Sequence, residues 1–60
     1  MKNFINMKLE LINNQIGIYK KNTIECIEKE EIISATSYLF MLRDLKEQQL
    51  LLKELLKKEE

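Results

Sequence analysis

The sequence predicts an all-α fold, an antiparallel two-helix hairpin that pairs with a second copy as a homodimeric four-helix bundle. Three observations predict it. The 60 residues hold one glycine and no proline, are rich in helix-favouring Leu, Ile, Lys, Glu and Gln, and contain no alternation of polarity long enough for a strand. Two stretches carry a continuous three-and-four-residue spacing of seam residues. The phases of those stretches conflict unless the chain folds back between them.

In the first stretch Ile5, Leu9, Ile12, Ile16, Tyr19, Thr23 and Cys26 follow a 4,3,4,3,4,3 spacing, one seam of a helix packed against a neighbour. It predicts a helix over residues 3–27. In the second, Ala35, Tyr38, Leu42, Leu45, Gln49, Leu52 and Leu56 follow the mirrored spacing, predicting a helix over residues 31–58. Nine steps separate Cys26 from Ala35, and at about 100° per residue a continuous helix would turn the second seam half a revolution from the first. A hairpin removes the conflict. Its register pairs Ile5 with Leu56, Leu9 with Leu52, Ile12 with Gln49, Ile16 with Leu45, Tyr19 with Leu42, Thr23 with Tyr38 and Cys26 with Ala35, numbers that sum to 61 in every case.

The register centres the turn between Glu30 and Glu31, in a segment without Gly, Pro or Asn. Glu28, Glu30 and Glu31 would suit the positive N-terminal end of the second helix, and the small Cys26 and Ala35 pair lets the backbones approach. A competing break lies at Asn22, where Glu25 three residues on resembles a capping box and Lys20 and Lys21 would suit a helix end. Gly17, after Asn13, Asn14 and Gln15, is a softer kink site.

The seam does not use all the apolar residues. Phe4, Leu11 and Ile18 repeat every seven residues along one flank of the first helix, and Met41, Leu51 and Leu55, with Phe40 further round, line a flank of the second. Antiparallel pairing brings the two flanks to one common face. A lone hairpin of this length balances burial against chain entropy near zero. One cysteine and no histidine leave neither a disulfide within the chain nor the commonest metal ligand to help. Association through the common face remains, and a second copy is the expected partner. Ile24, Ile27, Leu39 and Leu50 fall outside that face, as ordinary surface residues or as contacts for a second partner.

No residue set amounts to a chemical site. Cys26 lies on the seam beside Ala35 and reads as a small core residue. Carboxylate-bridged di-metal bundles place Glu with a Glu-x-x-His motif on inward positions, whereas Glu28, Glu30, Glu31, Glu47, Glu54, Glu59 and Glu60 map to the turn, the outer face and the tail. No nucleophile with an adjacent base, phosphate loop or acid and base pair is present. No catalytic, metal-binding or cofactor-binding residue is therefore assigned, and the chain is not expected to be an enzyme. Gln49 is a polar member of an aliphatic seam that would either pair with its own copy across the dimer or reach water.

Ten basic and ten acidic residues give no net charge. Lys8, Lys20, Lys21, Lys46, Lys53, Lys57 and Lys58 could be drawn as a basic strip, but Glu residues interleave with them, which disfavours nucleic acid as a partner. The longest uninterrupted apolar run is Tyr38 to Leu42, so neither a membrane span nor a signal peptide is expected and the cytoplasm is the expected location.

The stretch from Glu25 to Leu42, with Glu28, Glu30 and Glu31 at the turn and Ala35 and Tyr38 opening the next helix, resembles a pattern in small helical hairpin proteins encoded by phages of low-GC bacteria. It lacks the glycine usual in that turn. The richness in Ile, Lys and Asn agrees with such a source. The resemblance implies an accessory protein working in the host cytoplasm by binding an as yet unidentified protein target, as an inhibitor of a host enzyme or of a bacterial defence system. The architecture is also similar to that of the plasmid copy-control RNA-binding protein Rop, though no Rop motif is present. The expected function is thus a homodimeric protein-binding module that inhibits or regulates another protein. The alternatives are a Rop-like RNA binder and a structural coiled-coil oligomer.

Overall fold

A computed structural model of the chain describes residues 2–59. Two helices, α1 (Lys2–Glu28) and α2 (Ile32–Glu59), lie against each other along their length in a rod of 45 × 14 × 10 Å. α1 runs one residue beyond the expected 3–27 at each end, and α2 begins and ends one residue later than the expected 31–58. Glu60 and the side chain of Glu59, read from sequence as solvated tail, lie outside the described residues.

The chain turns without glycine. Glu30 takes the left-handed conformation with φ 62°, and three backbone bonds close the end of α1: the Lys29 amide donates to the Glu25 carbonyl (3.1 Å), Glu30 to Ile27 (3.0 Å) and Glu31 to Cys26 (2.8 Å). The last two are the paired bonds of a Schellman cap, which satisfies carbonyls that a helix end otherwise leaves open. Glu31 then stands at the N-cap of α2, its carbonyl accepting from the Ala35 amide at 3.0 Å. A cap on one helix is therefore the cap of the next. The turn centres on Glu30, half a residue before the expected point.

This geometry revises the role expected of the turn glutamates. Glu28 ends α1 and stands at its negative pole, no acidic residue occupies the first turn of α2, and only Glu31 adjoins the positive end of α2. The cap and the seam, not the dipole, hold the turn. The alternative break at Asn22 does not occur, because α1 continues through it. Gly17 lies within the helix, and a Cβ added there would meet nothing within 4 Å.

The core is a single row. Ile12, Ile16, Leu42 and Leu45 form its centre with Tyr19 and Leu52 against them, Ile5 extends it toward the open end, and Ala35, 3% exposed, closes it near the turn. Thr23 is as buried as its aliphatic neighbours. Its hydroxyl donates to the Tyr19 carbonyl at 2.7 Å, which satisfies a polar group that would otherwise be costly to bury. Above small Thr23 and Ala35 the rings of Tyr19 and Tyr38 pack at 5.7 Å between centroids.

Candidate interaction surface

All fourteen residues on the two seam spacings are buried or half-buried: Ile5, Leu9, Ile12, Ile16, Tyr19, Thr23 and Cys26 on α1, and Ala35, Tyr38, Leu42, Leu45, Gln49, Leu52 and Leu56 on α2. Gln15 and Asn22 are half-buried as well. They directly precede the seam residues Ile16 and Thr23, and each borders a cleft with α2, Gln15 with Leu45 and Asn22 with Tyr38. Spacing alone did not single them out.

Gln49 has a partner that neither expectation named. Its amide nitrogen donates to Oδ1 of Asn13 within the hairpin at 2.6 Å, and Asn13 lies on the side of α1 away from Phe4 and Leu11. The polar seam residue thus joins the two helices and is not aimed at a second copy across the Phe4 face. Cys26 is half-buried, less enclosed than its seam position implied, and borders a cleft with Asn22, Glu25 and Tyr38.

The hairpin buries little of its apolar content. Phe4, Leu11 and Ile18 on α1 and Phe40, Met41, Leu51 and Leu55 on α2 are all exposed. Near the open end a groove of about 320 Å³ runs between Phe4, Lys8 and Ile12 of α1 and Gln48, Leu51, Leu52 and Leu55 of α2. It continues toward the middle between Gln15 and Tyr19 on one side and Met41, Asp44 and Leu45 on the other. The two flanks therefore do share a face. Phe40 lines neither groove and instead lies beneath the Arg43 guanidinium, 5.6 Å from its ring centre. Met7, exposed beside Phe4, Lys8 and Leu11, belongs to the face and was missed, although its three- and four-residue steps from Phe4 and to Leu11 marked it.

The opposite flank carries Ile24, Ile27, Leu39 and Leu50, joined by Ile32 from the start of α2, all exposed. Among the described residues no group of three or more Cys, Asp and Glu side chains is placed to hold a metal ion, and no helix is long and apolar enough to cross a membrane. No protein-family model, no curated protein and no solved structure matches the chain.

Proposed function

We propose that this hairpin is a non-enzymatic protein-binding module that pairs with a second copy through the Phe4 and Leu55 face and inhibits or regulates another protein through its opposite flank. Surface area carries the reading. The chain exposes 4926 Å², whereas a compact folded monomer of 7.2 kDa exposes about 4,100 Å². The excess of about 800 Å² matches what one partner contributes to a standard protein interface. Face-to-face pairing of two rods makes a four-helix bundle and covers that excess.

The layering of the face favours one sense of pairing. At equal distances from the turn Phe4 lies level with Leu55, Leu11 falls between Gln48 and Leu51, Gln15 is level with Asp44, Ile18 with Met41 and Asn22 with Ser37. If both turns lie at the same end, α1 of one copy meets α2 of the other and like layers meet: apolar on apolar, Gln15 on Asp44. If the turns lie at opposite ends, Leu51 meets Ser37 and Asp44 meets its own copy, which like charges disfavour. The same-end sense is the one adopted here.

Sedimentation equilibrium at micromolar concentration tests the pairing, and a folded monomer there rejects it. A spin label on the thiol of a Lys29→Cys, Cys26→Ser chain tests the sense. With turns together the labels lie under about 25 Å apart, given helices packed 8–10 Å apart, and with turns apart they are separated by the length of the rod, 45 Å. The regulatory role, in the manner of the phage hairpins that residues 25–42 resemble, is tested by co-purification from infected or defence-bearing bacteria. Leu39→Asp with Leu50→Asp should abolish capture while leaving the dimer intact.

A further inference from the structure

The flank opposite the dimer face has a charge character that the neutral total conceals. At about 100° per residue, Lys2 and Lys20 of α1 and Lys46, Lys53 and Lys57 of α2 fall on this flank, and all five are exposed. Among the described helical residues Glu10 is the one acid there, two heptads before Ile24 on the same line of α1. Glu28, Glu47 and Glu54 stand on the outer backs of the helices, and Glu25 and Asp44 on the dimer side. The acids that directly follow Lys46 and Lys53 in the linear sequence therefore face elsewhere, and the flank carries five lysines against one acid.

The same flank holds the exposed aliphatics, and the two characters divide along its length. Ile24, Ile27, Ile32 and Leu39 cluster in the half nearest the turn, with the turn acids Glu30 and Glu31 beyond them, while Lys46, Lys53, Lys57 and Lys2 occupy the half toward the open end. Lys20 and Leu50 stand across the divide. The Asn13 and Gln49 hydrogen bond crosses between the helices on this flank, tying the basic half of α2 to α1.

We infer that this flank docks an acidic, amphipathic segment of a partner protein, acidic groups against the lysines and aliphatic groups against Ile24, Ile32 and Leu39. The inference rests on the protein-binding reading above and names the chemistry of the partner. Complementary charge steers such an encounter and sets its register, and the aliphatic half supplies burial that charge alone does not. A nucleic acid would leave the aliphatics uncovered, and the flank offers it no aromatic stacking platform and a single guanidinium, Arg43, which lies over Phe40. An anionic membrane surface suits an apolar stripe edged by lysines along its whole length; here the two are separated end from end.

Four labelled probes distinguish these cases: an amphipathic helical peptide of Glu and Leu, the same peptide with Lys for Glu, phosphatidylserine and phosphatidylcholine vesicles, and a structured RNA hairpin. The Glu and Leu peptide should bind, more weakly as salt shortens the screening length, and the Lys peptide should not. Lys46→Glu with Lys53→Glu should weaken binding about tenfold or more. The same charge change at Lys21 and Lys58, which lie off the flank, should leave it unchanged. Tighter binding of vesicles or RNA would reject both this inference and the protein-binding reading. Binding of no probe, or equal loss from both pairs of substitutions, would overturn the acidic partner alone, because the dimer and any capture through Leu39 and Leu50 are read separately.

Discussion

Ile16 and Ile33 allow the same substitution to be made at two extremes of burial. Ile16 is 7% exposed at the centre of the row formed with Ile12, Leu42 and Leu45, and Ile33 is 87% exposed. Ile16→Ala removes three carbons from the core, worth about 2.4 kcal/mol at roughly 0.8 kcal/mol each. The space left between two stiff helices adds about 1 kcal/mol more if some 40 Å³ stays unfilled. Against a total of roughly 3 to 9 kcal/mol for a domain of this size, a loss near 3.5 kcal/mol removes between about two fifths and all of the stability. Urea titration followed by far-ultraviolet circular dichroism, at one fixed protein concentration because the proposed association would add to stability, should show the midpoint falling by about 3 M for a slope near 1 kcal/mol/M. Ile33→Ala should move it little, or raise it by the few tenths of a kcal/mol that alanine gains in a helix. A shift below about 1 M for Ile16→Ala, or equal shifts for both, would refute the assignment of the seam.

Gly17→Ala should stabilise by about 1 kcal/mol, since a Cβ there meets nothing within 4 Å and alanine costs the helix less than glycine; the melting temperature reads it. Glu30→Gly should also stabilise, by about 1 kcal/mol, because φ 62° strains any residue with a side chain; a lowered melting temperature would count against the Schellman cap. A double-mutant cycle of Asn13→Ala and Gln49→Ala should return a coupling of roughly 0.5 to 1 kcal/mol for their 2.6 Å hydrogen bond; zero coupling would mean that water serves each amide equally well.

The pairing of the helices was legible because a helix seam repeats in the sequence itself. The steps from Ile5 to Cys26 and from Ala35 to Leu56 mark the positions that the other helix covers, and a hairpin with one dominant contact leaves no further neighbour to blur the pattern. The turn was legible only indirectly. Lys29, Glu30 and Glu31 have no preference for a left-handed conformation, and what sets the reversal is the phase difference between two long seams, which the strain at Glu30 is small enough to obey. Asn13 as the partner of Gln49 was not legible, since seam pairing sets Ile12 opposite Gln49 and a flexible amide reaches one residue past its opposite number.

The surfaces were legible unequally, and the cause is the helix itself. Phe4, Leu11 and Ile18 recur at seven-residue steps, so a face built from them can be seen in a linear reading. Charge is harder to read that way. Lys46 precedes Glu47 and Lys53 precedes Glu54, so each pair looks neutral, yet adjacent helical residues diverge by about 100° and the members of each pair serve different surfaces. Steering depends on where charge lies and not on its total, so a chain with ten charges of each sign can present a flank of five lysines with one acid, Glu10, among them. Reversing Lys46 and Lys53 changes that flank by as much charge as reversing Lys21 and Lys58 changes the rest, with the same effect on the net charge. Any difference in binding between the two variants therefore measures the distribution alone.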